Sequence, residues 1–204
     1  MVCYRAPINP GWKAFEMFKR YCVIAAMLAG LAAAPAAGQN ASEAESLISA
    51  VKDRDPGKAV MILRNKPALV NAKNFSGETA LTIAVARRDD DWTSFLLAQG
   101  ADPNAADRKG ETPLIIAARL GYTTGAAHLA SRKAKIDGTN KQGETPLIVA
   151  VQQRHVQMVR LLLGAGADPD KTDDAQGYSA RDYAKRDPRA RDILRLSETG
   201  KPKS

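Results

Sequence analysis

Gly77-Glu78-Thr79-Ala80-Leu81, Gly110-Glu111-Thr112-Pro113-Leu114 and Gly143-Glu144-Thr145-Pro146-Leu147 decide the fold of this chain, and their three threonines stand 33 residues apart. A constant step of that size marks a stacked repeat, and it outranks any purely local reading. Thr112 and Thr145 are placed to cap a helix through their hydroxyls. Pro113 and Pro146 follow at the first helical position, where a missing N–H costs little. Ala117-Ala118 and Ala150-Val151 put small side chains at mid-helix, so that a neighbouring helix can approach closely. Leu96-Leu97 and Leu162-Leu163 predict the apolar face of a second helix, which Gly100 and Gly166 end. Each unit therefore reads as helix–turn–helix–turn.

The same phase extends outward. One step before Thr79 is Ser46, opening Ser46-Leu47-Ile48-Ser49-Ala50, and 34 residues after Thr145 is Ser179, opening Ser179-Ala180-Arg181-Asp182-Tyr183-Ala184. Gly100-Ala101-Asp102-Pro103-Asn104 returns as Gly166-Ala167-Asp168-Pro169-Asp170, two periods on. With these motifs in phase, the chain resembles the ankyrin-repeat family over roughly residues 44–196. The resemblance implies an all-α ankyrin-repeat solenoid of about five stacked helix-turn-helix units, at about 46–78, 79–111, 112–144, 145–178 and 179–196. No unit can bury its apolar face alone, so stacking supplies the core, and the first and last units read as degenerate caps with polar outer faces. The first cap carries Leu47, Ile48, Ala59, Val60, Ile62 and Leu63 on apolar faces; in the last, Asp187-Pro188 is placed to start a helix with Ile193, Leu194 and Leu196. Residues 197–204 read as a disordered tail.

One unit departs from the pattern. Gly125 stands where neighbouring units have Trp92 and Met158, and Lys133 where they have Gly100 and Gly166. A mid-helix glycine costs about 1 kcal/mol against alanine, so this second helix is expected to be the weakest, with Trp92 filling the room that Gly125 leaves.

The N-terminal segment has a different character. Lys19-Arg20 precedes an apolar run from about Tyr21 to Leu31, and small residues then lead to Gln39-Asn40. That order is a secretory signal peptide's, so residues 1–38 read as a signal peptide and upstream extension, cut before Gln39 or, as runner-up, before Ala37. Met17-Phe18-Lys19-Arg20 is itself a good start for such a signal, so translation is expected to begin at Met17. Residues 39–43 read as a short linker. The run is shorter than the roughly 20 residues a membrane-spanning helix needs, so the reading is a bacterial periplasmic or secreted protein without stable membrane insertion after cleavage; an uncleaved inner-membrane anchor is the minor alternative. Cys3 and Cys22 are the only cysteines and both precede the cut, so a mature chain would contain no thiol.

The chain of 204 residues has a formal charge of +8, which suggests an anionic partner until it is divided. Residues 1–38 carry +3, residues 178–204 carry +4, and residues 39–177, with 18 basic and 17 acidic side chains, carry +1. The excess thus belongs to a targeting signal and to the final cap. The chain's 5% aromatic content is too low for a typical stacking platform that binds single-stranded nucleic acid.

Signatures of catalysis are missing: there is no G-x-S-x-G, H-E-x-x-H or phosphate-binding loop. His128 lines up with Ile62, Phe95 and Leu161 and reads as a partly buried packing residue, while His155 falls at the turn between two helices, where the resemblance implies a structural histidine. Neither has a carboxylate or cysteine spaced to share a metal. Asp89-Asp90-Asp91 reads as a solvated turn that favours the following helix N-terminus. The reading is therefore a non-enzyme with no cofactor and no metal.

What remains is a surface. The resemblance implies partner binding on the concave face, through hairpin tips and first helices. Carried over by motif position, the tips are Phe75, Ser76 and Glu78; Arg108, Lys109 and Glu111; Lys141, Gln142 and Glu144; and Ala175, Gln176 and Tyr178. The helix positions are Arg87, Arg119, Leu120, Gln152 and Gln153. Phe75 and Tyr178 are the best anchors, because aromatics are enriched among hot spots. Asn74, Asp107, Asn140 and Asp174 read as turn-holders. The functional expectation is a monomeric, exported protein-interaction module with an unknown partner in the cell envelope and no nucleic-acid partner. Two alternatives are an immunity or chaperone-like partner of an envelope toxin or enzyme, and an anionic-surface binder acting through the basic C-terminal cap.

Overall fold

In the computed structural model, residues 37–188, 193 and 195 are described, with side chains from Ser42 onward. The signal peptide, its cleavage sites, the Met17 start, Leu194, Leu196 and the tail at 197–204 lie outside the described residues, apart from the backbone at Ala37 and Gly38.

Helices follow the repeat. α1 (Ala37–Lys52) pairs with α2 (Pro56–Asn65) and a 3-10 helix (Pro67–Asn71), and α3 (Ala80–Ala86) with α4 (Asp90–Ala98). Next come α5 (Pro113–Leu120) with α6 (Thr123–Ser131), α7 (Pro146–Gln152) with α8 (Val156–Gly164), and then α9 (Ala180–Arg186). Ile193 and Arg195 are also helical, and Ile193 is buried. There is no strand among the described residues, only an isolated bridge between Thr172 and Ser179. α1 runs through residues 39–43, so the segment read as a linker is helical.

The caps arise where the hydroxyls stand. Thr79, Thr112, Thr145 and Ser179 have extended backbones, and their side chains accept from the N–H of Thr82, Ile115, Ile148 and Asp182. Each bond satisfies one of the donors a helix start leaves open, a contribution of about 1 kcal/mol.

First helices pack in one row, α1–α3–α5–α7–α9, and second helices α4–α6–α8 in another. Ile48, Leu81, Leu114 and Leu147 form one buried column at steps of 33, and Leu63, Leu96, Leu129 and Leu162 form a second. Burying each such side chain contributes roughly 1.5–3 kcal/mol, so the stack is held by leucine and isoleucine ladders running along its length.

Polar staples join the same units at the helix–helix turns. Arg54, at φ 55° in the left-handed region, ion-pairs with Asp89 at 2.9 Å. Arg88, at φ 56°, donates to the Leu120 carbonyl at 2.6 Å, and Arg154, at φ 58°, reaches Asp187 at 2.5 Å. His155 stands at the start of α8 and bonds the Arg119 carbonyl at 3.1 Å, the structural part expected of it.

Three expectations need correction. The ring against Gly125 is Tyr122, not Trp92: a Cβ on Gly125 would overlap Tyr122, whereas Trp92 stands edge-on to Phe95 with centroids 5.5 Å apart. Tyr122 stands at the N-cap of α6, three residues before Gly125, and its ring folds over that glycine, which repeat columns do not show. His128 is exposed rather than partly buried, whereas Ile62, Phe95 and Leu161 at the aligned positions are half-buried. The aspartate triplet is not simply solvated: Asp89 is buried and caps α4, while Asp90 accepts from Tyr122 and from Thr124 (2.7 Å) across the unit boundary.

Candidate functional site

The tips of successive hairpins form one continuous edge. In each, a buried or half-buried Asx side chain replaces the bonds that the backbone lacks. Asn74 Oδ1 accepts from the N–H of Ser76 (3.0 Å) and Glu78 (2.9 Å), and Asp107 Oδ1 from Lys109 (2.8 Å) and Glu111 (2.9 Å). Asn140 Oδ1 accepts from Gln142 and Glu144, both at 3.0 Å. Such bonds fix a turn locally, whatever the neighbouring repeats do.

The fourth turn corrects the sequence reading. Its holder is Asp173, not Asp174: Asp173 Oδ1 accepts from the N–H of Gln176 (2.9 Å) and Tyr178 (3.2 Å), and its Oδ2 accepts from the Tyr183 hydroxyl (2.5 Å). The extra residue that stretches the last step to 34 lies after the holder, so the holder keeps the step of 33 from Asn140. Burial pushes the Asp173 carboxyl up, but the bonds from Tyr183 and from backbone N–H groups outweigh it and hold it below the usual aspartate value. Burial and the adjacent carboxylate raise Tyr183 in turn.

Neighbouring tips lie backbone against backbone. Lys141 N–H donates to the Lys109 carbonyl (3.3 Å) and Asp174 N–H to the Gln142 carbonyl (3.0 Å). Gly143 is needed for this approach, since a Cβ there would stand 2.5 Å from Asp174 N.

The expected tip residues lie along this edge with distinct fates. Phe75 (61% exposed), Ser76, Arg108, Lys109, Lys141, Gln142 and Gln176 project outward. The three glutamates turn inward: Glu78 and Glu144 accept from the Asn74 and Asn140 amides, at 3.2 and 2.8 Å, and Glu111 pairs with Arg119. Tyr178 completes the tips but is half-buried, edge-on to Tyr183 with centroids 5.7 Å apart and with the Arg186 guanidinium 4.5 Å over its ring.

The first helices supply the rest. Arg87 is exposed and donates to the Lys52 carbonyl at 2.7 Å. Arg119, Leu120 and Gln152 are half-buried, and Gln153 is exposed. Tyr183 and Arg186 on α9 join this face and were missed; with Val151, Gln152, Arg154 and Asp187 they line a shallow cleft between α7 and α9. The signal was present, because the step of 34 places Tyr183 under Val149 and Arg186 under Gln152.

Within the basic cap, Arg181 pairs with Asp170 at 2.8 Å and Lys185 with Asp182 at 3.9 Å; Arg189 and Arg191 lie outside the described residues. Among the described residues, no group of three or more His, Cys, Asp or Glu is placed to share a metal ion, and no helix is long and apolar enough to cross a membrane.

A family model described as ankyrin repeats (3 copies) matches residues 47–140 and, overlapping it, 93–173, together more than half of the chain. No curated protein matches the chain.

Proposed function

The chain belongs to the ankyrin-repeat family, and from that premise we propose that it is a non-catalytic module that binds a partner protein through its hairpin tips and first helices. Repeats of this family are generally protein-interaction modules, and solenoids offer extended surfaces to a partner. The observation that carries the proposal is the tip edge: turns tied internally by Asn74, Asp107 and Asn140, joined to one another through Lys141 and Asp174 N–H bonds, with exposed side chains projecting from them. An edge held in place before contact loses little conformational freedom on binding.

The test is a photo-crosslinking residue at Gln142, on a tip, compared with one at Gln157, exposed on α8. Capture of one protein from the tip position and not from α8 supports the reading; equal capture from both refutes it.

The reading includes export to the bacterial periplasm, supported by the order of basic, apolar and small residues before Gln39. A cut before Gln39 removes two residues of α1 and leaves the remainder of the helix. N-terminal sequencing of the periplasmic form should begin at Gln39 or Ala37; a cytoplasmic product retaining residues 17–38 counts against export.

A further inference from the structure

We propose that the second and third hairpin tips, with Phe75 beside them, dock an extended acidic segment of the partner protein; this rests on the interaction function above and names the partner's chemistry. Arg108, Lys109 and Lys141 are exposed, and none has an ion-pair partner among the described residues. The carboxylates that recur beside them do not neutralise them, because Glu78 and Glu144 are bound to turn amides and Glu111 to Arg119.

The cations form one file. The Lys141 N–H bond to the Lys109 carbonyl sets the third tip directly on the second. On the other side Gly77 abuts Arg108, where a Cβ would stand 3.2 Å from Arg108 N, and this brings the exposed Phe75 tip alongside. The fourth tip breaks the file with Asp174, Ala175 and Gln176. Along the edge the order is thus aromatic, cationic, cationic, then acidic and neutral, which gives a bound segment a direction: apolar end at Phe75, carboxylates over Arg108, Lys109 and Lys141.

One exposed ion pair contributes about 0–1 kcal/mol, so several carboxylates in sequence are required, and their main effects are faster encounter and a fixed register. A broad polyanion is a poorer match: residues 39–177 carry +1, a narrow file rather than a basic field.

The probe is a short fluorescent peptide alternating Glu and Ser with one terminal Leu, compared with its Gln counterpart, heparin and phosphatidylglycerol vesicles. The Glu peptide should bind about tenfold tighter than the Gln peptide, weaken with salt, and lose that preference in R108Q/K109Q/K141Q. Phe75→Ala should weaken binding only when the Leu is present. Equal binding of Glu and Gln peptides, undiminished binding by the triple variant, or retention on heparin or vesicles without peptide binding overturns the proposal. The double variant K109Q/K141Q, which leaves Arg108 against Gly77, guards against a folding defect and should show an intermediate loss. A Gln142 crosslink that persists in the triple variant refutes the acidic chemistry while leaving the interaction surface standing; its absence in the wild type refutes the surface itself.

Discussion

Tyr122 lies with its ring on Gly125, and its hydroxyl donates to Asp90 of the preceding repeat. A glycine that weakens α6 by itself is thereby the seat of the ring that ties α6 to α4. In an ordinary helix Gly→Ala stabilises by about 1 kcal/mol. Here a Cβ would overlap the ring, so Gly125→Ala should destabilise by about 1–3 kcal/mol. In a Tyr122→Ala background the same substitution should stabilise. Urea midpoints of the four variants check this, and a stabilising Gly125→Ala in the wild-type background would contradict it.

The same pair sets a pH window. Hydrogen bonds from Tyr122 and Thr124 hold the Asp90 carboxyl below its ordinary 3.8, so its contribution is present above that value and fades as pH falls through the folded-state value. Burial, with Asp90 beside it, pushes the Tyr122 hydroxyl from 10.0 up to about 12; its contribution is whole below pH 10 and is lost as pH rises through about 12. The stability difference between wild type and Tyr122→Phe should therefore be greatest between these limits and shrink at both ends. A difference that is flat with pH would count against it.

At the fourth tip, Asp173→Ala should cost about 1–3 kcal/mol, because two turn N–H groups and the Tyr183 hydroxyl lose their buried acceptor. Asp174→Ala should stay within about 0.5 kcal/mol, since that side chain is exposed. Thermal unfolding of both variants distinguishes them.

These turns also show what was legible in the residue order. The step of 33 located the caps at Thr112 and Thr145 and the apolar second-helix faces at Leu96 and Leu162, because both depend on short-range spacing that each unit repeats. Where the step becomes 34, spacing alone cannot say on which side of the holder the extra residue falls, hence Asp174 in place of Asp173. Contacts between units, such as Tyr122 with Asp90, were not legible, since they depend on side-chain direction across a boundary. Inward rotation of Glu78, Glu111 and Glu144 was hidden for the same reason.

The two aromatic anchors should separate in stability. Phe75 is 61% exposed, so Phe75→Ala should change unfolding by less than about 0.5 kcal/mol. Tyr178 packs edge-on to Tyr183 beneath Arg186, so Tyr178→Ala should cost more than about 1 kcal/mol. Binding losses at Phe75 can therefore be read as contact losses, whereas those at Tyr178 need a folding control. Calorimetry that ranks the two the other way would displace Phe75 as the cleaner probe of the tip edge.

Lys133 carries the cost of a departure from the repeat. Gly100 and Gly166 leave their helices at φ 87° and 90°, whereas Lys133 takes the equivalent position at φ 65° with a Cβ. A left-handed non-glycine residue is strained by roughly 1–2 kcal/mol, and glycine's greater freedom in the unfolded chain returns part of that, about 0.4–1 kcal/mol. The Lys133 side chain is exposed, so little packing is lost by removing it. Lys133→Gly should therefore stabilise by about 0.5 kcal/mol, and Lys133→Val, whose branch crowds this backbone, should destabilise. Chemical denaturation of both reports the order, and Lys133→Gly falling below wild type would show that the lysine stem supports α6.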